Sequence, residues 1–134
     1  MSGPAAGGPT TGNPASGNPA SGGPASGGLA AKKCMPCEGG TAPLTETQAL
    51  ALRAELHPDW KLGAGARSLE RALKFRDFYR TMSFVNALAH IANVEDHHPD
   101  LEVGYNYCNV TFSTHSIGGL SENDFICAAK LDRL

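Results

Sequence analysis

The first 31 residues limit what this chain can fold into, because they cannot contribute to a hydrophobic core. They hold no charged side chain, and they repeat Gly-Asn-Pro-Ala-Ser or Gly-Gly-Pro-Ala-Ser units at 12–16, 17–21 and 22–26. Ordering such residues costs about 1–2 kcal/mol each, and they bury too little apolar area to offset it. We therefore predict a disordered tail or linker, which leaves about ninety of the 134 residues for one small domain.

A Cys-Met-Pro-Cys segment separates this tail from the rest of the chain. We assign residues 1–40 to a tail rich in Gly, Pro, Ala and Ser that ends in this hinge, and residues 41–134 to the folded domain. Cys34 and Cys37 are half of a zinc site, and no second pair or nearby His completes it at the usual spacing. Gly39 and Gly40 break the helix that a redox motif requires. We interpret residues 34–37 as a surface turn, open to an intersubunit or adventitious metal contact.

Charge and cysteine content exclude several classes of protein. The net charge of −2 gives no drive toward nucleic acid, and no apolar run is long enough to cross a bilayer. The start of the chain lacks the charged residues and apolar block of a secretory signal, so we expect a cytoplasmic protein, with an organellar destination left open. A disulfide framework is then not expected, and we interpret Cys108 and Cys127 as buried apolar side chains.

Three segments carry helix signals. Thr45 and Gln48 have capping-box spacing, which predicts a helix over 46–56. Asp77 can cap a helix over 78–94, and Ser121 can cap a last helix that ends near Leu134. The middle helix carries an apolar stripe that we expect to be buried, made of Phe78, Met82, Phe84, Val85, Leu88, Ala89, Ile91 and Ala92.

Alternating polarity predicts four strands. Residues 67–76 and 107–115 alternate along most of their length, and 60–62 and 101–103 are short candidate partners across turns. In the 107–115 stretch, Cys108, Val110 and Phe112 share one face, and His115 lies on the other. The element order predicts an α+β two-layer domain, in which a four-stranded antiparallel sheet carries three helices on one face.

Three histidines are the candidate chemical groups. His97 and His98 are adjacent and are followed by Pro99, at the turn where the long helix gives way to a strand. His115 lies at the end of the partner strand, so a hairpin would bring it back toward this turn. Histidine exchanges protons near neutral pH, with a reference pKa of about 6.5.

The residues alone leave several interpretations open. The histidines could be ordinary surface-loop residues, or three imidazoles could hold zinc with an open coordination position. Asp96 and Asp100 are near enough in sequence to orient an imidazole or to favour its charged form. Asp124 could serve only to cap its helix.

An ordered set of residues then extends the pattern over 44–134. Its members are His97, His98, Pro99, Asp100, Tyr105, Tyr107, Thr114, His115, Gly118, Gly119, Leu120, Ser121 and Asp124, with Trp60, Lys74, Phe75, Arg76, Asp77, Phe78 and Phe84 upstream. Together they resemble the pterin-4a-carbinolamine dehydratase family, some members of which also have a leader similar to the Cys-x-Pro-Cys segment. Family members often carry a Glu where this chain has Asn93.

The resemblance implies a fold, an assembly and a reaction. It implies a four-stranded antiparallel sheet with helices on one face, a homodimer or homotetramer, and no metal or other cofactor. The implied enzyme is a lyase that removes water from 4a-hydroxytetrahydrobiopterin to give quinonoid dihydrobiopterin. This step recycles the pterin of aromatic amino acid hydroxylases, so the expected partner is a small-molecule pterin rather than nucleic acid or membrane.

This reaction needs one proton delivered to the leaving hydroxyl and one removed from a ring nitrogen. We place all three histidines in the catalytic set, with His97 and His115 as acid/base groups and His98 mainly binding and orienting the pterin. Asp124 orients His115, caps its helix or does both, and Asp96 is a second candidate for orienting an imidazole. The expected pterin-binding residues are His97, His98, Pro99, Thr114, His115, Ser116 and Ile117.

Two rival functions use the same residues. Proteins similar to this family act as transcriptional coactivators or protein assembly factors, and the assembly-factor relatives resemble forms without the catalytic residues. This chain keeps all three histidines, which favours the enzyme. The second rival is a zinc hydrolase, for which stoichiometric zinc in the purified protein would be the evidence.

Overall fold

The computed structural model describes residues 28–37 and 39–134. The predicted disorder of the tail falls largely on residues 1–27, which lie outside the described residues. The chain divides after Lys32, and the short 3-10 turn Gly28–Ala31 is what is described of the first part. No helix among the described residues is long and apolar enough to cross a membrane.

Residues 33–134 form the α+β domain that the element order predicts. Its helices are α1 (Glu46–Arg53), α2 (Phe78–Glu95) and α3 (Glu122–Leu131), and its strands are β1 (Lys61–Leu62), β2 (Leu69–Lys74), β3 (Asp100–Val103) and β4 (Tyr107–Phe112). The strands make one antiparallel sheet in the order β1-β2-β4-β3. The predicted fold class, with four antiparallel strands and three helices, is therefore confirmed.

The helix starts follow from capping residues. Thr45 and Gln48 form the predicted capping box, in which the Thr45 hydroxyl accepts the Gln48 N–H at 3.2 Å. The Asp77 carboxylate accepts the Arg80 N–H at 2.9 Å and so begins α2. Each side chain satisfies a backbone donor that has no partner within its helix.

The core lies on the helix-covered side of the central strand β4. Cys108, Val110 and Phe112 are buried, while the residues between them are partly exposed, as the alternation predicts. Phe112 packs against Trp60 with the ring centroids 6.1 Å apart. Cys127 on α3 is also buried, which confirms the interpretation of both Cys108 and Cys127 as core side chains.

Five predicted elements are shorter in the structure. Two of them are β1, which lacks residue 60, and β2, which spans 69–74 rather than 67–76. β4 ends at Phe112 rather than 115, because the Thr114 N–H bonds to Gly119 O across a loop and His115–Ile117 forms a 3-10 turn. α1 ends at Arg53 rather than 56, because the Glu55 and Leu56 N–H groups bond three residues back and tighten the chain. α3 ends at Leu131, and the final residues continue only as turns.

The predicted burial of the α2 stripe is wrong at Ala89, which is exposed, and at Phe78. This side chain is 47% exposed and stacks on Tyr105, with ring centroids 6.2 Å apart. Thr81 is buried in its neighbourhood instead, and its hydroxyl donates to Tyr105 O at 2.9 Å. A hydroxyl with a carbonyl partner can be buried at little cost, so helical spacing alone does not identify the inner face.

Candidate active site

The turn at the end of α2 places the two adjacent histidines in different environments. Asp96 follows the helix in the left-handed conformation, with φ of 52°, a region that Asp tolerates better than most residues. The His97 N–H then bonds to Ala92 O at 3.0 Å, so the chain doubles back over the helix end. His97 lies mostly buried against the core, and His98 is exposed.

His97 is held by a buried carboxylate. Its Nε2 lies 2.6 Å from Asp124 Oδ1, and the two side chains are 12% and 0% exposed. An ionised carboxylate only accepts, so Nε2 carries the proton of this bond. The ring is nearly parallel to that of Phe112, at a centroid distance of 5.9 Å and an angle of 6°. Both ring face and ring edge are thus fixed by residues far away in sequence.

Asp124 also joins the helix cap to the β4 loop. Its Oδ2 accepts the Ser121 N–H at 2.9 Å and the Thr114 hydroxyl at 2.8 Å. Thr114 Oγ1 lies a further 2.8 Å from Ser121 Oγ, so the Ser121 hydroxyl donates to it. A buried charge needs such partners. The predicted capping role of Asp124 is confirmed, but the imidazole it orients is His97 rather than His115.

This environment favours the protonated form of His97. Burial by itself lowers the pKa of His97, but the hydrogen bond and charge of Asp124 outweigh it. The negative charges of Cys34 and Asp96 act in the same direction. The pKa of His97 therefore lies above its usual range, and Asp96 acts on the imidazole through charge.

The other two histidines are exposed. His98 Nε2 lies 3.0 Å from Asn93 Oδ1. His115 Nε2 lies 3.9 Å from Asp100 Oδ2, and both of these side chains are 80% exposed. An ion pair in water at this distance holds its side chains only weakly.

All three histidines line one cleft of about 490 Å³, as the hairpin geometry predicts. The remaining lining residues are Cys34, Met35, Pro36, Cys37, Glu95, Asp96, Ser113, Thr114, Ser116 and Asn123. Of the expected pterin-binding residues, Thr114 and Ser116 are in this lining, whereas Pro99 and Ile117 are not. The cleft is within the size range of small-molecule sites.

Residues 34–37, which we call the strap, form a cleft wall that sequence reasoning missed. The Asn123 side chain accepts the Met35 N–H at 2.9 Å and donates to Met35 O at 2.5 Å. The Cys34 N–H donates to Glu95 Oε1 at 2.9 Å, and this bond lowers the pKa of the Glu95 carboxyl. The amide at the start of α3 and the carboxylate at the end of α2 thus anchor the strap.

The described residues contain no group of three or more His, Cys, Asp or Glu side chains arranged to hold a metal ion. The cleft offers an imidazole whose protonated form is favoured by a buried carboxylate on one wall and an exposed imidazole on another. Such a pair can donate a proton to one atom of a bound molecule and accept one from another.

Comparison with known proteins places this arrangement in a family. The family model described as "Pterin 4 alpha carbinolamine dehydratase" matches residues 42–134. The chain belongs to the pterin-4-alpha-carbinolamine dehydratase family. Its cleft histidines and Asp124 all lie within the matched region.

Relatives of this family cover most of the chain. It is 54% identical over 106 residues to a protein of Legionella pneumophila (strain Lens) that is provisionally named a pterin-4-alpha-carbinolamine dehydratase, covering 79% of this chain and 94% of that one. A protein of Nitrosomonas eutropha with the same provisional name is 53% identical, covering 79% and 92%.

Two solved structures share the fold. A transcriptional coactivator/pterin dehydratase from Brucella melitensis aligns with a TM-score of 0.64 and 33% identity, covering 68% of this chain and 96% of that chain. A pterin dehydratase-like protein described as a RuBisCO assembly factor of the alpha-carboxysome aligns with a TM-score of 0.50 and 24% identity, covering 57% and 89%. The second likeness concerns the fold alone.

Proposed function

We propose that this protein is a 4a-hydroxytetrahydrobiopterin dehydratase. The observation that carries the proposal is the buried His97–Asp124 pair, with a nitrogen-to-oxygen distance of 2.6 Å, in a cleft that His98 and His115 also line. Family membership supplies the substrate class, and the cleft supplies groups that suit a dehydration. The product is quinonoid dihydrobiopterin, which returns the pterin toward the form that aromatic amino acid hydroxylases use.

His97 is the general acid of the proposed reaction. Because Asp124 favours the imidazolium, His97 holds a proton to deliver to the 4a-hydroxyl as the carbon–oxygen bond breaks and water leaves. Stacking on Phe112 keeps the ring in place during the transfer. A positioned acid or base typically contributes a factor of about 10²–10⁴ to the rate.

His115 is the base, and His98 is the main binding residue. His115 removes the proton from a ring nitrogen, so one proton leaves the pterin as another is delivered to the departing oxygen. His98, held by Asn93, contacts the pterin and orients it. Backbone groups of Thr114 and Ser116, both in the cleft lining, bond the amide-like edge of the ring.

Stopped-flow decay of 4a-hydroxytetrahydropterin, with and without the protein, tests the proposal. The wild-type chain should accelerate the decay, and His97→Gln should slow the enzymic rate by about 10²–10⁴-fold. Glutamine keeps a donor for Asp124, so the variant should fold. His90→Gln is the matched control, because His90 is exposed on α2 and does not line the cleft.

If the folded wild-type chain gives no acceleration, the dehydratase assignment is wrong and a binding role on the same fold becomes the better explanation. The proposal also includes self-association into a homodimer or homotetramer. Tyr79 and Tyr105 are 83% and 65% exposed, which suits contacts with a second copy. Sedimentation equilibrium should give a mass of two or four chains.

A further inference from the structure

Two cysteine sulfurs meet beside the cleft although they are far apart in sequence. Cys34 Sγ on the strap lies 3.6 Å from Cys127 Sγ on α3, and the two residues are 93 positions apart in sequence. A disulfide bond is about 2.05 Å long, so the sulfurs need to approach by only about 1.5 Å to bond. The existing fold therefore holds the two thiols close to bonding range.

The two sulfurs differ in their access to solvent. Cys34 is partly exposed and lines the cleft, whereas Cys127 is buried behind it. Cys34 is also held in position, because its N–H donates to Glu95 Oε1 and its sulfur lies 3.6 Å from Asn123 O. A small reagent that enters the cleft can therefore reach Cys34 first.

The surroundings also shift the pKa values of the two thiols in opposite directions. The hydrogen bond from Cys127 holds the pKa of Cys34 below its usual range, against the effect of burial, and the positive charges of His97 and Lys130 assist. The same bond and burial raise the pKa of Cys127. Cys34 therefore gives up its proton more readily than Cys127, and the thiolate is the nucleophilic form.

We propose that Cys34 and Cys127 form a peroxide-sensitive thiol pair, which oxidises reversibly to a disulfide at the wall of the cleft. Cys34 is the residue that reacts with the hydroperoxide, and Cys127 is the residue that resolves the product. The proposal does not rest on the dehydratase activity, since neither sulfur takes part in the proposed reaction.

The oxidation balances with one hydroperoxide. The Cys34 thiolate attacks one peroxide oxygen, the oxygen–oxygen bond breaks, and the leaving oxygen takes a proton, which gives a sulfenic acid and water when the oxidant is hydrogen peroxide. Cys127 sulfur then attacks the Cys34 sulfur, and the sulfur–oxygen bond breaks. The hydroxyl leaves with the Cys127 proton as a second water. A small dithiol reverses the change by exchange.

The other two cysteines are not placed for this reaction. Among the described contacts, Cys37 Sγ lies 3.4 Å from Asn123 Nδ2 and 3.9 Å from Met35 O. Cys108 is buried within β4. Cys37→Ser and Cys108→Ser are therefore matched controls for changes at the reacting pair.

The test uses the full reduced chain, treated with hydrogen peroxide and then with an alkylating reagent. Cleavage after Met35 separates Cys34 from Cys37, and cleavage after Glu122 separates Cys108 from Cys127. Mass spectrometry should find the Cys34 and Cys127 peptides joined. Two of the four thiols should become unavailable to alkylation, and dithiothreitol should restore both.

The variants decide which sulfur does what. Cys37→Ser and Cys108→Ser should keep the joined peptides, and Cys34→Ser should lose them. Cys127→Ser should lose them too, but should accumulate a sulfenic acid on Cys34 that dimedone traps. A Cys34–Cys37 bond, a bond between chains, or four free thiols in the folded, peroxide-treated protein would each overturn the proposal.

Discussion

The two walls of the cleft that carry His97 and His115 differ in how far each imidazole is buried and held. The His97 side chain is 12% exposed, and Asp124, Phe112 and the end of α2 fix it. His115 is 80% exposed, and its nearest acidic partner, Asp100, is 3.9 Å away and equally exposed. The difference shows that the fold itself fixes one imidazole, whereas the other lies in solvent beside an exposed carboxylate.

The largest expected effect separates catalysis from stability at the exposed wall. His115→Gln should lower kcat by about 10²–10⁴-fold, because it removes the proposed base. Its free energy of unfolding should change by less than about 0.5 kcal/mol, since the side chain lies in solvent. Stopped-flow rates and urea denaturation measure the two quantities. A loss of unfolding free energy well above this value would contradict the described contrast between the two walls.

The next effect concerns the buried wall. Asp124→Ala leaves His97, the Thr114 hydroxyl and the Ser121 N–H without their acceptor, so it should destabilise the fold by on the order of 3 kcal/mol. Asp100→Ala is the control at the exposed wall, and it should change the unfolding free energy by less than about 0.5 kcal/mol. Similar losses in the two variants would contradict the description of Asp124 as the central acceptor.

A smaller effect depends on pH. The folded-state pKa of His97 is raised, so its contribution to stability is complete below the unfolded pKa of about 6.5 and is lost as pH rises through the folded value. The stability difference between wild type and His97→Gln should therefore be larger at acidic than at alkaline pH. Urea denaturation across this range measures it, with His115→Gln as the control. A difference that grows toward alkaline pH would have the wrong sign.

The smallest effect is expected at His98. Asn93→Glu introduces a carboxylate opposite the exposed His98 ring. An exposed ion pair is worth at most about 1 kcal/mol, so KM should change by less than about fivefold, and kcat should change little. A large fall in kcat would mean that His98 takes part in proton transfer rather than in orientation.

Sequence patterns predicted the parts of the fold that depend on local periodicity. The alternation of Cys108, Val110 and Phe112 determines which face of β4 is buried, and capping residues mark the starts of the helices. The hairpin of β3 and β4 follows from these patterns, and with it the return of His115 toward His97. Each of these features is encoded within a few neighbouring residues.

Long-range partnerships could not be predicted in the same way. Asp124 lies 9 residues after His115 in sequence but bonds to His97, which is 27 residues earlier. Which histidine Asp124 contacts depends on how α3 packs against α2, and the apolar spacing within each helix does not predict that packing. The strap was missed for a similar reason, because its anchors Asn123 and Glu95 are 88 and 61 residues from their partners.

The position of the strap determines how far the chain can be truncated without removing part of the cleft. The family match begins at residue 42, and the strap precedes it, yet the strap supplies one wall of the cleft. A truncated version trimmed to the matched region would keep every histidine and every sheet strand. It would also open the cleft on one side and expose the buried Asn123 amide and the Cys127 sulfur to water. One wall of the cleft therefore lies upstream of the region that the family match covers.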